Sequence, residues 1–259
     1  MLIISILISV FFFNGCVSTE NSASSQLART SEDISRDSFW ITMPASETLT
    51  IIGVSGPQSR ERYIAEVARE HAARNVSLFH RIEASFVNMH RTGTSIFDYD
   101  NIFEQTIIFD ENLEPFMERL DFDPDKDIIR IGNTTFIRFT YPAVFPGTIN
   151  FYSRRNPNGS PVWSTNPPVI DGYLVGVGHA RRQIRTRDTF IRSSESAIAA
   201  LVSQVSTIIT SREVDVNSIT SIVSTHESRG VLTSFLVLDI WFDPATQDVW
   251  TLAVAISGN

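Results

Sequence analysis

Cysteine is almost missing from this chain: Cys16 is the only one in 259 residues. That excludes a disulfide framework and a thiolate metal site. An excess of basic charge is missing too. The formal charge is −8, and general nucleic-acid binding needs a basic surface that displaces counterions. The opening apolar run, "MLIISILISVFFF", is too short for a membrane span. As a helix it reaches about 20 Å, against a hydrocarbon core of roughly 30 Å. Recognised catalytic patterns are absent as well. There is no HExxH, no His pair at i, i+4 and no Gly-x-Ser-x-Gly turn, and the five histidines (His71, His80, His90, His179, His226) are scattered. Asp98 and Asp100 stand two apart in "FDYDN", but the glycine and distal glutamate of a calcium loop do not follow, so they read as turn acids. The expectation is a non-enzymatic chain with no catalytic residue, no metal and no cofactor.

The short apolar run fits the hydrophobic region of a signal peptide, and Asn14, Gly15 and Cys16 follow it. A small residue before a lone cysteine at that place looks like a bacterial lipobox, where the chain is cut and the thiol acylated. Residues 1–15 then read as a signal peptide, and Cys16 as a lipid-bearing N-terminus. Residues 16–38, polar and serine-rich, read as a flexible tether. The competing reading is a plain secretory signal with a chance cysteine. Phe13 stands where leucine is usual, and no Lys or Arg precedes the run. Val17 after the cysteine is compatible with sorting to the outer membrane.

Beyond the tether the chain is written twice. "LTIIGVSG" (49–56) and "YLVGVG" (173–178) both end a β-like run in Gly, Val and a small residue. A helical pattern follows each. Ile64, Val67, Ala68, Ala72, Val76 and Phe79 recur at helical spacing, as do Ala197, Ile198, Leu201, Val202, Val205, Ile208 and Ile209. Placing Ala68 on Ala197, Ala72 on Leu201 and Val76 on Val205 brings the stripes into phase. Pro57 suits the first turn of the first helix. Phe-Asp-Pro also recurs, at 122–124 and 242–244, each time shortly before a strand-like run (134–141 and 248–257). Together with "LTSFLVLDIWF" (232–242), the second of these predicts a hairpin.

Gly176 and Gly178 raise the question of a dinucleotide turn. Arg181 stands where the third Gly or Ala belongs, and Glu195 falls inside the predicted helix rather than at a strand end. Close helix–sheet approach is the better reason for the glycines.

The first helix mixes signs, with Glu70 and Arg74 placed as an i, i+4 pair on a solvated face. The second unit carries a cluster, Arg181, Arg182, Arg185, Arg187 and Arg192 around the single Asp188. Arginine at a helix start opposes the dipole. The cluster is a candidate anion site, for a lipid head group or an acidic glycan, weighed against a merely solvated loop.

The lipobox-like cysteine, "YLVGVG", "SAIAALVSQV" and "WFDPATQDVWTLAVA" resemble the Lpp-twenty family of bacterial lipoproteins, with a weaker echo in "IIGVSG" and "VAREHAARNV". The resemblance implies a helix over a small antiparallel sheet, dodecin-like. It also implies roles in outer-membrane or flagellar assembly, without catalytic residues. The expected fold is α+β with two tandem strand–helix–strands units. The first occupies 39–142 with an insert at 93–119, a proline-rich linker spans 143–168, and the second occupies 169–259. The expected function is an envelope lipoprotein that scaffolds or binds an envelope protein or cell-wall component, held to the membrane by its acylated cysteine. Self-association through sheet edges is left open. The rival expectation is a small-ligand binder or hydrolase with a pocket between the units, lined by Trp163, Trp241 and Trp250.

Overall fold

The computed structural model describes residues 38–45, 47–57, 62–93, 102–216, 219–243 and 245–258. The expected signal peptide, Cys16, nearly all of the tether, residues 58–61 before the first helix, and Asp98 and Asp100 lie outside them.

The chain is α+β, with antiparallel strands in two sheets. β1 (Thr48–Ser55) leads to α1 (Arg62–His80), followed by β2 (Ile82–Gly93) and β3 (Ile102–Ile108). A short α2 (Glu114–Met117), β4 (Ile128–Ile131) and β5 (Thr134–Pro142) complete the first half. The second half holds β6 (Leu174–Ala180), α3 (Thr186–Val205), β7 (Thr207–Val216), β8 (Ile219–Phe242) and β9 (Val249–Ser257). The smaller sheet has the order β1-β5-β4, and the larger β3-β2-β8-β9-β6, with β7 also on β8. In each half the strand before the long helix pairs with the last strand, from Thr48↔Pro142 to Ser55↔Thr135 and from Leu174↔Ala255 to Ala180↔Val249.

The glycines explain how each helix lies on its strand. A Cβ on Gly53 would overlap the carbonyl of Ala68, and one on Gly176 the carbonyl of Ala197. Those alanines are the pair that brings the two stripes into phase. At Gly178 a Cβ would strike the carbonyl of Ser193 and the backbone of Ala197, so α3 would have to move. Gly178→Ala is expected to destabilise the chain by about 1–3 kcal/mol through overpacking, read by urea denaturation, whereas Gly56→Ala, where nothing lies nearby, should be near neutral.

The halves are not separate units with separate sheets. β2 pairs with β8 from Ile82↔Leu232 to Gly93↔Ser221, so the β2–β3 hairpin belongs to the sheet of the second half. The length of β8 accounts for this. Its 24 residues extend about 80 Å at the usual rise per residue. Its later part pairs with β9 and its earlier part with β7. A lone hairpin is marginal in water, and β2 joins the free side of β8. The core is shared too. Ala68, Ala72, Val76 and Phe79 of α1 pack with Leu49, Ile51, Ile137 and Phe139 of the small sheet and with Leu236, Leu238, Leu252 and Val254 of the large one. Leu78 of the same helix joins Ala197, Ile198, Leu201 and Val202 of α3. Trp40, fully buried, sits edge-on to Phe136 at 4.9 Å and stacks on Phe190 at 6.1 Å, tying residues of both halves.

Three further expectations change. Asp243 of the second Phe-Asp-Pro opens the β8–β9 turn, its amide donating to Asp248 O (2.9 Å) and its carboxylate accepting from Ala245 N (2.9 Å). The first is not a hairpin turn. Asp121 bridges to Thr140, and Asp127 O accepts from Arg138 N (2.8 Å) before Ile128 pairs with Ile137, so residues 122–126 bulge from the strand, as Pro124, lacking an N–H, favours. The β4–β5 turn falls at Gly132-Asn133, where Gly132 takes φ +55°. Ile208 and Ile209 leave the helix: Ser206 is extended, and both residues enter β7. Finally, residues 143–168 are no loose linker. Phe145, Ile149 and Trp163 are buried in the shared core.

Candidate functional site

The five arginines of the second half do not act as one group. Arg187, at the start of α3, turns toward Glu70 of α1 (3.4 Å). Arg181, Arg182 and Arg185 lie exposed in the loop between β6 and α3, and Arg192 is exposed on α3. Arg185 holds the N-cap position in an extended conformation, and no side chain caps the helix there. Behind it, Gly56, Pro57, Val67, Arg185, Arg187 and Asp188 line an open groove of about 430 Å³.

Arg74 departs from the expected i, i+4 pair with Glu70. It reaches Glu195 of α3 instead (3.0 Å), and Gln105 Nε2 donates to the other carboxylate oxygen (3.1 Å). Its guanidinium lies 5.1 Å from the Phe109 ring. This is a clasp between the halves rather than a solvated face.

A narrow cavity does lie between the halves, where the rival reading expects one. Thr42, Ile52, His71, Asn75, Phe190 and Phe235 help line it. Its space for water centres is about 20 Å³, enough for one water and too little for a substrate. His71 is fully buried here, and burial, with Arg74 and Arg187 adding to it, pushes its pKa down to about 3. The Ile52 backbone opposes this, but among the described residues neither ring nitrogen meets hydrogen-bond geometry with any group, and Asn75 Oδ1 is equally unpartnered. His71 is a neutral imidazole near pH 7.

A wider groove of about 470 Å³ runs along His80, Glu83, Asp110, Phe116, Arg119 and Tyr141. Arg119 Nη1 donates to Tyr141 Oη at 2.8 Å, while His80 Nε2 stands 3.5 Å from that oxygen, at the edge of a hydrogen bond. Burial and then Arg119 lower the His80 pKa. Burial raises that of Tyr141, against Arg119. The pair is neutral near pH 7.

The most connected polar group is Asp239 of β8, with no solvent exposure. It accepts from Ser153 Oγ (2.5 Å), Trp163 Nε1 (2.6 Å) and Arg155 Nη2 (3.2 Å), all from the excursion between the halves. Burial still pushes its pKa up, against Arg155 and the two neutral donors. The three tryptophans belong to one apolar cluster, Trp163 within it and Trp241 and Trp250 packed against it. Trp163 serves Asp239, while Trp241 stands 6.4 Å from Trp250, which packs on His179, whose Nε2 meets Asp248 at 3.1 Å. Among the described residues, no group of three or more His, Cys, Asp or Glu is placed to hold a metal, and no helix is long and apolar enough to cross a membrane.

Comparison with known protein families, with curated proteins and with solved structures finds no match to the chain.

Proposed function

We propose that the chain is a lipid-anchored envelope protein whose folded body serves as a non-enzymatic scaffold for another envelope component. The supporting observation is where the polar side chains go. Asp239, Arg74 and Glu195 fasten one part of the chain to another, and the cavity between the halves has room for a single water. Sheet edges are open as well: β1, β3, β4, β6 and β7 each have one neighbouring strand among the described residues. Such edges are ready templates for a partner strand, from another protein or a second copy.

The same proposal takes the two halves as copies of one unit, akin to the Lpp-twenty lipoproteins and their dodecin-like helix on a sheet. Support comes from the matching placement of Gly53 on Ala68 and Gly176 on Ala197, and from the matching β1–β5 and β6–β9 pairs. The β2–β8 pairing then fuses the copies.

The anchor is tested by growing cells with an alkyne-bearing fatty acid. The wild-type chain should take the label and sediment with membranes. Cys16→Ala should lose the label and shift to the soluble fraction with its body intact. An unlabelled wild-type chain would remove the anchor.

A further inference from the structure

We propose that the loop from Arg181 to Arg185 is a second, reversible membrane contact that binds anionic phospholipid. The proposal leans on the membrane-tethered reading for its setting only, since the loop's chemistry stands apart from Cys16.

The backbone of this loop is held in place. Asp248 accepts from Arg182 N (3.1 Å), Thr189 Oγ1 accepts from Gln183 N (3.0 Å), and Gln183 Nε2 closes on Arg181 O (3.0 Å). On that fixed frame the side chains point outward. Ile184 has a relative exposure of 106%, as open as in an extended chain. Arg181, Arg182 and Arg185 flank it in the chain, all exposed, and none has a side-chain partner among the described residues. The loop thus offers an exposed aliphatic side chain flanked by exposed arginines, in a chain whose formal charge is −8.

Neither part aids the fold. An exposed isoleucine forgoes burial, and arginine at the start of α3 opposes its dipole. The two together match a bilayer surface. Guanidinium groups pair with phosphates, often through two bonds, and the aliphatic side chain enters the boundary of the acyl chains. An acidic glycan would satisfy the arginines but has no apolar layer for Ile184. The isoleucine therefore selects lipid over glycan.

The test uses the full chain carrying Cys16→Ser and Ile184→Cys, which leaves a single thiol for an environment-sensitive fluorophore at the loop tip. A second chain carries Cys16→Ser and Tyr152→Cys, a reference position of 84% exposure on the excursion. Vesicles of phosphatidylcholine with phosphatidylglycerol should shift the emission at 184 to the blue. Pure phosphatidylcholine should not, and the label at 152 should stay unchanged. High salt should reverse the shift. Replacing Arg181, Arg182 and Arg185 by Glu, with the fold checked by circular dichroism, should lower partitioning by about a hundredfold or more. No shift at 184, or equal shifts at 184 and 152, would overturn the proposal. So would an equal response to soluble heparin without vesicles, which would assign the loop to glycan. Because Cys16 is replaced throughout, failure here leaves the acylation result standing, and the reverse holds.

Discussion

Replacing Asp239 by alanine is expected to lower the stability of the chain by about 3–5 kcal/mol, a large share of the roughly 5–15 kcal/mol that holds a typical fold together. The carboxylate has no contact with solvent and is the acceptor for Trp163, Ser153 and Arg155 together. Without it the Trp163 N–H is left buried and unsatisfied, and Arg155 loses its counter-charge. Damage should spread along the excursion, because these three bonds hold residues 153–163 against β8. Urea denaturation measures the loss, and proteolysis near residues 143–168 should quicken. Asp239→Asn keeps an acceptor and removes the charge, so it should cost clearly less. It also isolates the pH effect. Burial raises the folded pKa of Asp239 above its unfolded value, so the native state holds a proton that the unfolded state has released. Stability from this group therefore falls as pH rises through that window, and the asparagine variant should lack this slope.

Acid should act in the opposite direction through His71. Its folded pKa of about 3 lies far below the ordinary 6.5. Between those values the unfolded chain binds a proton there and the folded chain does not, so stability falls as pH drops. Each pH unit removes about 1.4 kcal/mol, for a total of roughly 4–5 kcal/mol by pH 3. His71→Leu takes away the titrating ring from a site where neither nitrogen has a partner. Relative to its own offset at pH 7, the variant should gain about 3 kcal/mol on wild type at pH 4. Denaturation curves for both proteins across pH 4–7 read this directly. Parallel curves would show that His71 does not stay neutral in the folded protein.

The features most legible in the sequence are those fixed by short-range pattern. The stripe from Ala68 to Phe79 and the one from Ala197 to Val202 are buried on their helices, and the strands at 134–141 and 248–257 lie where alternation puts them. The role of the glycines was legible because a strand glycine facing a helix alanine has few other uses. What was not legible depends on partners remote in the chain. Arg74 has Glu70 four residues before it, a sound local pair, yet Glu195 across the helix interface captures it. The two Phe-Asp-Pro stretches look alike, and only the placement of Gly132 decides which of them turns a hairpin. Ile208 and Ile209 continue the helical stripe in spacing, but β-branched residues after Ser206 pair equally well in a ladder. The proline-rich stretch reads as a linker because prolines exclude regular structure, and they say nothing about packing. One signal for the Asp239 junction was present: a lone carboxylate within "LVLDIWF", a run otherwise suited to a buried strand.

The interlocking of the two halves through β2 and β8 is tested most directly by a disulfide across that pairing. Ser85 and Arg229 are direct cross-strand partners, and Cys16 is the only native thiol. In a Cys16→Ser chain carrying Ser85→Cys and Arg229→Cys, mild oxidation should link the two cysteines within one molecule and raise the unfolding midpoint. If that chain stays reduced while a Ser85→Cys, Thr106→Cys chain, bridging β2 to β3 inside the first half, oxidises readily, the halves do not share a sheet.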